Sequence, residues 1–280
     1  MRGPNPGECA LNVAPIARFA AESGDEFHGP SLTDFYPPAL FGDGTFYEFN
    51  RVILVRIIAT VLLVGIMMLV AKRATVVPTR GQSVVEIIID YLRQNVVIGV
   101  LGEVEGKRYE KMLYTMFFAI LAFNITGVIP GLNIASTGLI GIGLVLASVT
   151  WVTYVTSGVK RHGAGGYVKH SLFPPGVPGP LKPLIALLDF LQVVLIRPAT
   201  LALRLTINMV VGHLLLVLTY SATQYFWVQA PSGFNLLYGV ITFIGIIFIT
   251  FLEMFVAALQ AFIFTILSAV YINMAIAEDH

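Results

Sequence analysis

The sequence predicts an all-α polytopic membrane protein with about five membrane-crossing helices and one interfacial amphipathic helix. The last two crossing elements are very long tilted helices that form a hairpin. Three observations lead there. Hydrophobic residues make up 56% of the 280 residues and charged residues 12%, whereas soluble domains average about 25% charged. Several apolar runs reach the roughly 20 residues that span a hydrocarbon core about 30 Å thick. Bases gather in short segments between those runs, the asymmetry that fixes orientation in a membrane.

Residues 1–50 form an extramembrane N-terminal tail, acidic through Glu8, Glu22, Asp25, Glu26, Asp34, Asp43 and Glu48, with little regular structure expected. They lack the basic-then-apolar layout of a signal peptide, so the N-terminus is expected to be retained. Residues 51–280 form a single transmembrane domain. Its first span is Val52 to Val70, where Arg56 can reach the near headgroups and Lys72, Arg73 and Arg80 follow. Acids before and bases after place the N-terminus outside and residue 72 in the cytoplasm.

Ser83 to Leu101 reads differently. Glu86, Asp90, Arg93 and Gln94 recur on one helical face, and Ile87, Ile88, Leu92 and Val96 on another, the pattern of a helix lying in the interface. Lys107, Arg108 and Lys111 keep the next connection inside. Met112 to Ile129 is the second span, with Asn124 within it; an outer turn around GLNIASTG leads to the third, Leu139 to Val159. Residues 160–183 carry Lys160, Arg161, Lys169 and Lys182 and are rich in Gly and Pro, so an irregular cytoplasmic loop is expected.

Residues 184–277 hold two apolar segments of about 40 residues, near 184–224 and 235–277. At 1.5 Å per residue each makes roughly 60 Å of helix, about twice the hydrocarbon thickness. Neither contains a basic loop, and Pro198, Gly239 and Gly245 are too few to make two hairpins. Two long inclined helices follow, joined at TQYFWVQAPSGFN, whose aromatics suit a membrane interface. The C-terminal Glu278–Asp279–His280 then lies in the cytoplasm.

Composition excludes much else. Cys9 is the single cysteine, which rules out an intramolecular disulfide framework or a multi-cysteine metal site. No phosphate-binding glycine loop, His-Glu-x-x-His or Gly-x-Ser-x-Gly is present. The chain is therefore expected to be non-catalytic, with no cofactor, no metal and no nucleic-acid partner.

The polar residues of the hairpin carry the chemistry. Arg197, Thr200, Arg204 and Asn208 follow steps of three and four and share one helical face. A charge at bilayer depth costs roughly 2.5–3.5 kcal/mol on insertion scales, and a guanidinium cannot shed its proton to avoid that cost. Arg197 near a helix end reads as an interfacial anchor, but Arg204 has apolar turns on both sides and reads as functional. His213 lies nine residues on, about 180° round. Glu253 and Gln260 share a face of the second long helix, Asp189 and Gln192 sit near the start of the first, and Asn124 adds a buried amide. Each has a plainer reading. Thr200 can bond back to its own helix, Asn124 and Asn208 can glue helices together, and Gln192 reads as structural. Glu253 resists such a reading, because a carboxyl in lipid is a natural proton carrier, and imidazole is a natural relay.

Three ordered blocks in these elements resemble a known family. RPATLALRLTINMVVGH at 197–213, LQAFIFTILSAVYI at 259–272 and Asn124-x-x-Gly127-x-Ile129-Pro130 are similar to the signatures of subunit a of the rotary F-type ATP synthase. The likeness covers about residues 45–276. It implies a stator subunit of the membrane sector, in a bacterial plasma membrane, that delivers protons to a ring of c subunits through two offset half-channels. It also implies the oligomeric c-ring proteolipid, peripheral-stalk b subunits and membrane lipid as partners. By the resemblance Arg204 is the essential arginine facing the ring, with Thr200, Asn208 and Gln260 around it. His213 and Glu253 line the outer half-channel, joined by Asn124, and Asp189 is a candidate for the inner one. Two departures stand out. Many members carry the acid just after the glycine and the histidine on the last helix, so the two are exchanged here. Related sequences often place an acid eight residues before the proline, whereas Asp189 lies nine before Pro198.

Two other classes compete. A secondary transporter for a small anionic solute would use Arg204 as its clamp, but such folds show internal repeats and broken midplane helices, and this sequence shows no repeat. A purely structural scaffold leaves Arg204 and Glu253 unexplained.

Overall fold

A computed structural model describes residues 39–41, 49–72, 80–129, 137–172, 181–229, 231 and 233–277. Most of the tail, the outer turn around 130–136, the proline-rich stretch 173–180 and the last three residues lie outside the described residues. In the tail, strand β1 (Ala39–Phe41) pairs antiparallel with β2 (Phe49–Asn50) just before the first helix. Among the described residues everything else of regular structure is helical: α1 (Arg51–Lys72), α2 (Arg80–Leu92), α3 (Gly102–Val128), α4 (Ile140–Leu172), α5 (Lys182–Gln229) and α6 (Gly233–Ile276).

Four of these, α1, α4, α5 and α6, are long and apolar enough to cross a membrane. The fifth expected span is α3. Its first turns hold Glu103, Glu105, Lys107, Arg108, Glu110 and Lys111, and its apolar part begins only at Met112. The expected hairpin is present, with α5 running 48 residues and α6 44 without a break. At 1.5 Å per residue they measure about 72 and 66 Å, so a hydrocarbon core of about 30 Å holds them only at a slant.

Helix α1 is apolar all round and buries only Val52, Val55 and Ala59, the signature of a helix mostly facing lipid. Helix α2 and the turns that follow it expose Glu86, Asp90, Arg93 and Gln94 as expected, while Leu92, Val96, Val97 and Leu101 enter the core and Ile87 is exposed. From Arg93 to Leu101 the turns widen to a π-helix. Gly102 then takes φ +77°, a conformation suited to glycine, and reverses the chain into α3.

The core lies where α3, α4, α5 and α6 meet. Helix α6 presents Ala257, Ala261, Thr265, Ser268 and Ala269 to its neighbours, small residues that let membrane helices approach closely. Buried hydroxyls find partners: Thr150 Oγ1 and Ser268 Oγ are 3.1 Å apart, and Tyr109 donates to Ser157 Oγ at 2.8 Å.

One expectation changes. The irregular loop foreseen from residue 160 begins as helix: α4 runs on to His162, breaks helical geometry at Gly163, with φ +74° and ψ 162°, and a second helical stretch follows to Leu172. Glycine alone relieves the steric cost of that backbone, and helical hydrogen bonding resumes beyond it.

Candidate functional site

Helix α5 is not uniform. Between Gln192 and Ile196 it widens to a π-helix, and the Arg197 N–H bonds to the Gln192 carbonyl, five residues back. In an α-helix that N–H would bond to Val193. Pro198, which has no N–H, favours such local loosening. The freed Val193 carbonyl accepts hydrogen bonds from two α4 side chains, Trp151 Nε1 at 3.1 Å and the Tyr154 hydroxyl. The extra residue lies between Asp189 and Pro198. A π-turn takes up one residue more than an α-turn, so Asp189 and Pro198, nine residues apart, stand about eight α-helical positions apart.

Below this turn is a chamber of about 170 Å³ lined by Tyr167, Asp189, Gln192, Val193, Arg197, Met274 and Ala275. Asp189 and Arg197 therefore face a common space. Arg197 is half-buried, with its guanidinium 5.3 Å from the centroid of the Tyr271 ring, a cation–π contact; it is more enclosed than an interfacial anchor. Gln192, read as structural from sequence, lines the chamber too.

Two turns beyond Arg197, Arg204 stands on the exposed face of α5 with no hydrogen-bonding or ionic partner among the described residues. Thr200 is exposed on the same face, and its hydroxyl bonds back to Ile196 and Arg197 carbonyls at 2.8 and 3.0 Å. One turn past Arg204, the Asn208 amide donates to Gln260 Oε1 on α6 at 2.8 Å.

A second cavity, about 240 Å³, opens between α3, α5 and α6. Asn124, Asn208, Glu253 and Gln260 supply its polar wall, and leucine, isoleucine and valine much of the rest. Glu253 is 5% exposed, and neither carboxyl oxygen has a hydrogen-bond partner among the described residues. Its carboxyl rests on Gly212, where an added Cβ would lie 3.1 Å from Oε1. The next residue, His213, is also buried, at 7% exposure. Asn124 is 2% exposed; it accepts from Thr137 at 2.8 Å and donates to the Ala257 carbonyl at 3.4 Å. It lines the cavity and joins α3 to α6 at once.

The structure thus brings Asn124, Asn208, Glu253 and Gln260 together, with His213 beside the glycine that seats Glu253. Asp189 belongs to the other chamber. Sequence reasoning missed Tyr167. The signal available was the Gly163-Ala164-Gly165-Gly166 run just before it, which can turn a chain back on itself.

The family profile described as "ATP synthase A chain" matches residues 53–273. The chain belongs to that family. Among its relatives is "ATP synthase subunit a" of Rhodococcus erythropolis, 39% identical over 98% of this chain and 97% of the relative. Proteins of the same name from Streptomyces lividans and a Nocardioides species are 34% and 32% identical; they cover 91% and 96% of this chain and 89% and 99% of their own lengths. Arg204, Glu253 and the whole lining of the Glu253 cavity fall inside the matched segment, as does the Asp189 chamber apart from Met274 and Ala275. Membership agrees with the apolar helices in making this a membrane-embedded subunit of an ATP-synthesising, proton-transporting assembly.

Proposed function

We propose that this chain is the stator subunit that carries protons to and from the carboxylates of a c-ring in the bacterial plasma membrane. In this reading the N-terminus lies outside and the C-terminus in the cytoplasm. The observation that carries it is Arg204, a permanent cation on the outer face of a membrane helix, set between one chamber holding Glu253 and another holding Asp189.

A proton from outside enters the cavity of Glu253, Gln260, Asn208 and Asn124, with His213 as relay. Glu253 and His213 between them offer one acid and one imidazole, and Gln260 and Asn208 orient the last transfer. The proton neutralises a ring carboxylate, which then rotates into lipid, because the neutral acid is far less costly to bury than the anion. A carboxyl arriving from the other side meets Arg204. An opposite charge nearby lowers a carboxyl pKa by about 1–3 units, so the proton leaves through the Asp189 chamber toward the cytoplasm. The same fixed charge repels protons and blocks a direct leak. One charge crossing 100 mV gains about 2.3 kcal/mol, so rotation must gather several protons per ATP. The chain itself makes no ATP; the c-ring and peripheral-stalk b subunits are its partners.

Arg204→Ala tests this. Reconstituted complex carrying it is expected to lose proton-driven ATP synthesis while still co-purifying with the ring. Normal coupled synthesis in that variant would refute the reading.

A further inference from the structure

We propose that Tyr167 gates the chamber of Asp189 and Arg197, closing it from the side of residues 163–168; this rests on reading that chamber as the proton release path. Among residues 163–168, Tyr167 is the one buried side chain, at 8% exposure, while Gly163, Ala164, Gly165, Gly166 and Val168 are exposed. An exposed glycine-rich run that delivers a single aromatic ring into the interior is placed to deliver that ring, since nothing else in it packs.

The ring has a fitted seat. Its Cε2 and Cδ2 lie 2.3 and 2.4 Å from where a Cβ on Gly158 would stand, and the Ala275 carbonyl lies 3.0 Å from the same point. Any side chain at Gly158 would push the ring out. From that seat Tyr167 forms the aromatic part of a chamber wall that otherwise consists of Asp189, Gln192, Val193, Arg197 and the end of α6. The ring and its hinge come from one short segment. Gly163 already bends the helix with positive φ, and Gly165 and Gly166 add backbone freedom of the kind that lets a lid swing.

The gate is tested by access, independently of proton flow. In full complex within inverted vesicles, which present the cytoplasmic face, Cys9→Ser removes the native thiol and Ala275→Cys places a reporter in the chamber wall. A membrane-impermeant quaternary-ammonium methanethiosulfonate is added, and the extent of labelling is read by mass. Labelling is expected to be slow with Tyr167 and equally slow with Tyr167→Phe, which keeps the ring. It is expected to be about tenfold faster with Tyr167→Ala, because thiol modification follows access. Gly158→Ala, which evicts the ring without deleting it, is expected to match Tyr167→Ala and serves where that variant fails to assemble. Equal labelling across these backgrounds would overturn the gate. Asp189→Asn with undiminished proton pumping would instead overturn the release-path reading and leave the labelling result standing.

Discussion

The Asn208 amide donates to Gln260 Oε1 at 2.8 Å. This bond ties the helix bearing Arg204 to the helix bearing Glu253, one turn from the arginine. Gln260 is 3% exposed, and its own Nε2 has no partner among the described residues. The amide is thus held by one side only, and its residue lines the cavity with a donor left over.

The two residues should therefore act as a unit. Asn208→Ala and Gln260→Ala are each expected to lower ATP-driven proton pumping, and the double variant to lose clearly less than the sum of the two. Groups sharing a hydrogen bond couple by about 0.5–3 kcal/mol. Strict additivity of the two losses, measured by fluorescence quenching in inverted vesicles, would count against the pairing.

Gly212 sets the position of Glu253. A methyl there would lie 3.1 Å from Oε1 and 3.3 Å from Cγ and Cδ, tight enough to shift the carboxyl. Gly212→Ala is expected to reduce proton flux by about tenfold, since small misplacements at a transfer site are costly. The shorter acid of Glu253→Asp should restore part of that loss when the two are combined. An unchanged flux in Gly212→Ala would show that the carboxyl's place on the glycine is unimportant.

His213 and Glu253 place one imidazole and one carboxyl, both buried, on the two long helices. If they cooperate, the double swap His213→Glu with Glu253→His is expected to retain far more flux than removal of either residue. Comparable losses in all three would argue against the pair.

The hairpin tip is packed as closely as the site. Trp227 stacks on Phe243, with centroids 5.4 Å apart, and its Nε1 lies 2.0 Å from where a Cβ on Gly239 would be. Gly239→Ala should destabilise the assembled complex by about 1–3 kcal/mol, the usual cost of overpacking. Trp227→Phe, which frees space, should recover part of it. Thermal denaturation of the purified complex would measure both, and no change in Tm for Gly239→Ala would contradict the packing.

The long helices and the polar residues on them were legible in the sequence, because apolar length and helical spacing survive any packing. Arg204, Thr200 and Asn208 share an exposed face as their spacing implied, and Glu253 and Gln260 line one cavity. What could not be read depends on neighbours distant in the chain. The π-turn at Gln192–Ile196 is held by Trp151 and Tyr154 of another helix, which take the Val193 carbonyl. No local pattern shows where a helix will admit one more residue, so the rotation between Asp189 and Pro198 could not be read from their spacing. The continuation of α4 past Gly163 was hidden for the opposite reason. Three glycines in four residues read as a loop, yet there they make a single bend and carry Tyr167 inward.

The reach of the last two helices has a geometric outcome. Asp189 and Gly212 are 23 residues apart on one unbroken rod, about 35 Å at 1.5 Å per residue, which exceeds the depth of the oily slab. Much of that distance must run sideways within the sheet of lipid. A water thread dropping straight down from either vestibule would miss the other, which on the proposed reading leaves the circuit to be closed by a carrier on the ring.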